Sequence, residues 1–211
     1  MRARRLAAVL TSLAAGCAAG SSPPPAGAPA QQDEGGEACL IRCDEIHYGS
    51  READQIAPLD EPDAVPVAEA PDLAPDDLVV GVVVAGHARA YPLRVLARHE
   101  VVNDRLGGRR IAVVHAPLLG VSSAFDLTAS GVTGGFGNSC GRYNGDSILY
   151  DRETSSLWSP MQRRAVAGPR ARDPLVPREA ATAAREAGGA AYPPGTGLST
   201  DPGHPGLSND G

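Results

Sequence analysis

Two imidazoles and one thiol in the middle of the chain, His99, His115 and Cys140, are residue types that bind copper or zinc. To hold such an ion they would have to converge on one point, with bonds of about 2.0–2.3 Å. Carboxylates and amides share the stretch: Glu100, Asn103, Asp104, Asp126, Asn144, Asp151 and Glu153, joined by Tyr143 and Arg152. Beside Asp104 or Asp126, His99 could serve as the general base of a hydrolase. No nucleophile elbow or zinc-protease motif accompanies it, so that reading ranks last. A plainer reading gives each residue a structural task. Asn103-Asp104 makes an Asx-type turn, Asp151-Arg152-Glu153 pairs charges across a hairpin, and His99 ends a helix on a backbone carbonyl. For any single residue the plainer reading is preferred, because isolated His and Asp are common without being ligands.

A second group lies nearer the start. Cys39, Cys43 and His47 are spaced i, i+4, i+8, which would stack them on one helix face as a soft-metal stripe. A local Cys39–Cys43 disulfide with a solvated His47 is the preferred alternative, since three ligands on an uncertain helix are a weak metal signal. After Cys17 three thiols remain, so one is left free, liganded or shared between molecules. Cys140, between Ser139 and Gly141, reads as part of a polar loop.

These groups need elements to position them, and composition bounds what those can be. The 211 residues allow one domain or two small ones. All 19 basic residues are Arg, and the net charge is -6. Such an acidic balance disfavours nucleic acid as a partner. Residues 1–16 have a basic start (Arg2, Arg4, Arg5), a short apolar run and small residues before Cys17. That is the pattern of a secretory leader ending at a lipidated cysteine. Residues 17–44 then read as a lipidated N-terminus and flexible tether, with the proline-rich stretch solvated.

The body begins near residue 45. Residues 51–76 read as an arm over the domain, rich in Pro and acids. The run 78–84 is β-branched and apolar on both faces, which suits a central strand. Ala85-Gly86 turns the chain into a partner strand, 87–91. Pro92 opens a short helix to about residue 98. Further strands are expected at 101–103, 110–115, 120–126 and 147–150, with 156–159 closing a hairpin. Only 4% of residues are aromatic, and Phe136, Tyr143, Tyr150 and Trp158 crowd into one window, so the core must form around them. Tyr150 and Trp158 are expected to pack inward, and 134–144 is the better place for a site because its glycines let backbone approach a ligand. The fold expected is α+β and β-rich: a single compact domain of short antiparallel strands with one or two short helices, over residues 45–168. Residues 169–211 read as a weakly helical segment (177–187) followed by a disordered tail.

Five separated blocks carry a resemblance: Ala-Arg-Ala-Tyr-Pro-Leu-Arg-Val-Leu (88–96), His-Glu-Val-Val-Asn-Asp (99–104), Phe-Gly-Asn-Ser (136–139), Tyr-Asn (143–144) and Leu-Tyr-Asp-Arg-Glu-Thr-Ser-Ser-Leu-Trp-Ser (149–159). In that order and spacing the chain resembles the bacterial family of domain of unknown function 3179, and residues 56–69 resemble its lead-in. The resemblance implies an exported or lipid-anchored protein, and it brings no established activity. Two departures stand out. Where the family usually reads Tyr-Cys-Pro-Leu-Cys-Gly, this chain has His115-Ala116-Pro117-Leu118-Leu119-Gly120; where it reads Phe-Asp-Arg, this chain has Phe125-Asp126-Leu127. The thiol-redox or soft-metal site that the family's paired cysteines imply therefore cannot be carried onto Ala116 and Leu119.

The expected function is that of an exported, lipid-anchored binding or scaffold domain facing the periplasm or exterior, attached to a membrane through Cys17. The alternative is an envelope metal-handling or thiol-redox protein using His115, Cys140 and His99, with copper or zinc.

Overall fold

The computed structural model describes residues 39–49, 51–66, 73–185 and 195–198. The leader, Cys17, most of the expected tether and most of the expected tail lie outside the described residues. No described helix is long and apolar enough to cross a membrane.

Three sheets make up the structure. The first is built from β3 (Leu78–Val84), β4 (His87–Pro92), β13 (Ala180–Ala184), β14 (Thr196–Leu198) and β2 (Ala64–Pro66), in the order β13-β3-β4-β14-β2. A second, β1-β5-β6-β7-β12, contains β1 (Leu59–Asp60), β5 (Val101–Leu106), β6 (Arg109–Ala116), β7 (Val121–Asp126) and β12 (Pro177–Arg178). The third, β11-β10-β9-β8, contains β8 (Phe136–Tyr143), β9 (Asp146–Asp151), β10 (Leu157–Ser159) and β11 (Arg164–Ala167). Pairings are antiparallel except β1 with β5 and β14 with β4. One α-helix is present among the described residues, α1 (Leu93–His99), with a 3-10 turn at Cys43–Glu45.

Local chemistry explains the hairpins. Three two-residue turns each place both residues at positive φ: Ala85-Gly86 (49° and 79°), Gly107-Gly108 (56° and 75°) and Asn144-Gly145 (50° and 83°). That backbone matches the right-handed twist of the flanking strands, and glycine or asparagine reaches it at low cost. Pro92, with φ fixed near -58°, leads β4 directly into α1.

The cores show how the sheets stack. Alternate residues of a strand face opposite ways. Val102, Ile111 and Val113 pack with Val80, Val82, Tyr91 and Leu96 of the first sheet and its helix. Their neighbours Val101, Ala112 and Val114 pack with Phe136, Leu149 and Trp158 of the third. The β5–β6–β7 sheet is therefore a middle layer, buried on both faces. A third cluster covers the far side of the β8–β11 sheet, where Ile46 and Tyr48 lie over Ile148, Leu157 and Val166.

Several expectations change. The segment 134–144 is no loop: residues 136–143 form a strand, because its glycines let neighbours close in. A Cβ on Gly137 would lie 2.2 Å from the Tyr150 ring. Of the helix expected over 177–187, the described residues Pro177–Arg178 and Ala180–Ala184 are strands instead. Ala180–Ala184 pairs along the whole of 78–82 as an edge strand, since backbone pairing to β3 outweighs the helix propensity of alanine. Thr196–Leu198, expected in a disordered tail, is a strand between β4 and β2. The arm is partly sheet as well, with Leu59 in the core. Cys39 and Cys43 form a disulfide, and no helix joins them to His47, which bridges Arg142 instead.

The Gly137–Tyr150 contact gives a direct test. Gly137→Ala should cost about 1–3 kcal/mol through overpacking, read as a lowered midpoint in denaturant unfolding. Truncating the ring in Tyr150→Ala should shrink that increment in a double-mutant cycle; an unchanged increment would mean the ring is not what excludes a side chain at 137.

Candidate functional site

Most of the polar residues singled out by type are buried, His99, Glu100, Asn103, Asp104, His115, Asp126, Cys140 and Asp151 among them. Asn103 and Asp104 are consecutive on β5, so they point to opposite faces. Asn103 donates its amide to the Asp60 carboxylate (2.7 Å) and to the Phe136 carbonyl (2.9 Å), and its own oxygen accepts from the Phe136 N–H (2.9 Å). It fastens the middle layer to the third sheet. Asp104 fastens the same strand to the first. Its carboxylate accepts from Arg89 (2.6 and 2.7 Å), from the Tyr91 hydroxyl (2.8 Å) and from the Arg105 N–H (2.6 Å). Burial and the facing Asp104 charge push the Tyr91 phenol well above its usual range. The pair is a strand element, not the expected Asx turn.

Glu100 makes a third fastening. It ends α1 at φ 60°, a left-handed conformation unusual for a side chain of its size, and is 4% exposed. That backbone turn drops the carboxylate toward β8, where it accepts from Arg142 (2.6 and 2.8 Å) and from the Asn138 amide (3.1 Å). Ser147 contributes a longer contact of 3.4 Å. His115 is tied to the same point, its N–H donating to the Glu100 carbonyl (2.8 Å) while ring Nδ1 meets the Ser122 hydroxyl (2.9 Å). Burial lowers the His115 pKa below its usual value, opposed by the Glu100 charge and the Val121 carbonyl.

Cys140 lies in a bulge of β8. Asn138 pairs with Leu149 and Gly141 with Ile148, so Ser139 and Cys140 have no strand partners. Side chains replace the lost ladder bonds: Asn138 accepts from the Cys140 N–H (2.8 Å), and Ser139 bonds both the Ile148 carbonyl and the Gly141 N–H. The thiol is buried and unoxidised. His99 has Nδ1 on the Ala57 carbonyl (2.8 Å). No group of three or more His, Cys, Asp or Glu among the described residues is arranged to hold a metal ion.

The remaining acids are committed too. Asp126 accepts from Arg178 Nε and one terminal nitrogen on the same oxygen, with the Ala129 N–H at 2.8 Å on the other. Those bonds outweigh burial, which alone would raise its pKa, and hold it below 3.8. Asp151 accepts from the Thr154 N–H (2.6 Å), the Thr154 hydroxyl and the Trp158 indole N–H (2.9 Å), which fixes the 151–156 turn and seats the tryptophan. Trp158 then packs edge-on against Phe136 and beneath Arg170. Arg152 does not pair across its hairpin; it reaches Asp60 (2.9 Å). Glu153 accepts from the Thr133 N–H (3.3 Å). Tyr143 and Asn144 stand at the end of β8, partly exposed, where Asn144 supplies a turn. Tyr150 differs from Trp158: its hydroxyl meets Asp54 of the arm, and burial with that carboxylate pushes it up to about 12.

Residue types alone did not reveal the arginine partners. Arg89, Arg142 and Arg178 lie 15, 42 and 52 positions from their acids. The one local signal was the alternation of Arg89 and Tyr91 in Ala-Arg-Ala-Tyr-Pro, which puts both on one strand face.

Between the middle layer and the third sheet, the packed core opens into a cleft of about 200 Å3. Asn103, Asp104, Arg110, Ile111 and Leu127 line it together with Gly134, Arg152, Asp60 and Glu61.

Two substitutions test this account. Glu100→Ala leaves Arg142 without its acid and should cost about 3 kcal/mol, the lower end for breaking a buried pair, since the Arg142 side chain stays 21% exposed. Pairing it with Arg142→Met should recover much of that loss; no recovery would show that the cost lies elsewhere. Asp146 gives a pH test. One of its oxygens is buried without a partner, and burial raises its pKa above 3.8 against the Ser159, Met161 and Ser147 bonds and the Arg142 charge. The folded state holds that proton more tightly, so the group's contribution is present below its unfolded value and lost as pH rises through its folded value. Asp146→Asn should therefore be more stable than the parent near pH 7 and lose that advantage toward pH 4, measured by urea unfolding at both.

Comparison with known protein families matched residues 53–205 to the family described as "Protein of unknown function (DUF3179)". Comparisons with curated proteins and with solved structures found no match. The family match spans the middle layer, the cleft and every fastening residue from Asp54 onward, and leaves out the Cys39–Cys43 disulfide. By that match the chain belongs to the DUF3179 family.

Proposed function

We propose that this is an exported, lipid-anchored protein whose folded domain binds or scaffolds and does not catalyse. The observation that carries the second half is the commitment of the acids. Asp104, Asp126, Asp151 and Glu100 each hold internal donors, and His99 is bonded to Ala57, so the residues that could act as a base are taken up in internal hydrogen bonds. Catalytic acids and bases need a free face toward substrate. The first half rests on sequence: a basic start, an apolar run and the small residues before Cys17. The metal-handling alternative gains no support from the placement of His99, His115 and Cys140.

The anchor has a simple readout. Produced as the full chain in a bacterial host, the protein should partition into the detergent phase of a Triton X-114 extraction and incorporate labelled fatty acid. Cys17→Ser should lose both properties; retention of both would remove Cys17 as the anchor. Elemental analysis of the same preparation addresses the domain. Stoichiometric copper or zinc that vanishes in Cys140→Ser would overturn the binding reading in favour of a metal site.

A further inference from the structure

We infer that the cleft between the middle layer and the third sheet is a binding site for a small carboxylate, with Arg110 as the residue that takes its charge; this rests on the binding-domain reading above. Most of the charges that line the cleft are already paired. Asp104 is held by Arg89, Glu61 by Arg105 (2.8 Å), and Asp60 and Arg152 by one another. Arg110 lines the same cleft and its guanidinium has no hydrogen bond or ion pair with any described residue. It stands on β6, on the same side as Ala112 and Val114, which face the third sheet.

A guanidinium presents parallel N–H donors that match the two oxygens of a carboxylate. Leu127 lines the same cleft and is the apolar neighbour for a short carbon chain. The volume, about 200 Å3, is below the range typical of drug-sized ligands, so the occupant is small or is the end of a longer chain. Charge selects further. Asp60, Glu61 and Asp104 all stand around the site, and a phosphate dianion would meet more repulsion from them than a single carboxylate would. The carboxylate could belong to a free small acid or to a peptide C-terminus, and the recognition chemistry is shared.

Calorimetric titration of the full chain distinguishes these. The probes are sodium butyrate, inorganic phosphate, and the tripeptide Ala-Ala-Leu with either a free C-terminus or a C-terminal amide. Butyrate or the free-acid tripeptide should bind, phosphate more weakly, and the amide not measurably. Arg110→Gln should lower carboxylate affinity at least tenfold with an unchanged thermal midpoint, and Arg110→Lys should restore only part of it. Tighter binding of the tripeptide than of butyrate would mark a chain terminus as the ligand class, and the reverse a free acid. Carboxylate binding unaffected by Arg110→Gln, or no binding of any probe, would overturn the assignment of the cleft while leaving the binding-domain reading standing. Cleavage of the tripeptide would instead overturn the non-enzymatic reading.

Discussion

Because β5, β6 and β7 are apolar on both faces, neither face can be left to water, and each must be covered by another sheet. That requirement fixes the stacking of three layers and dictates what the polar residues of the middle layer can be. A carboxylate or amide there is stable only with its hydrogen bonds made internally. Asn103 and Asp104 meet the requirement in opposite directions, one toward β8 and one toward β4. The same groups that burial would penalise thus set the alignment of the layers, because apolar packing alone tolerates sliding and directed bonds do not.

Arginine is the partner in most of these joints, in a chain without lysine. One terminal nitrogen of Arg142 reaches both oxygens of Glu100, and one of Arg89 reaches both of Asp104, charge-assisted bonds stronger than neutral ones. A compositional habit of the sequence is here put to geometric use. Glu100 shows the cost: a left-handed backbone at the end of α1 is accepted so that its side chain can reach Arg142.

Residues 78–126 were readable because their signals agree: β-branched runs, two-residue turns with glycine, and a proline at the helix start. The strand at 136–143 was not, since Gly137, Asn138, Ser139 and Gly141 have low strand preference and look like a loop. Their small size is the reason they form a strand here, as Tyr150, Ile46 and Tyr48 occupy the space that larger side chains would need. The alanines of 180–184 misled in the opposite sense, because only the edge of β3, a hundred residues earlier, makes them a strand. For the polar residues, identity was legible and partnership was not. Acids could be named from their type, whereas the arginines that occupy them are brought close only by the layering.

One detail of connectivity bears on how the molecule is assembled. Thr196–Leu198 lies between β4 and β2, so a segment from near the end of the chain separates two strands made early. Until it arrives, β4 has an open edge and Ala64–Pro66 has no neighbour to pair with. The outer sheet therefore cannot close progressively as the chain emerges. Its closure joins residues more than 100 positions apart, a loop whose entropic cost falls on the final step. The β4 edge is completed only when Thr196–Leu198 is inserted beside it.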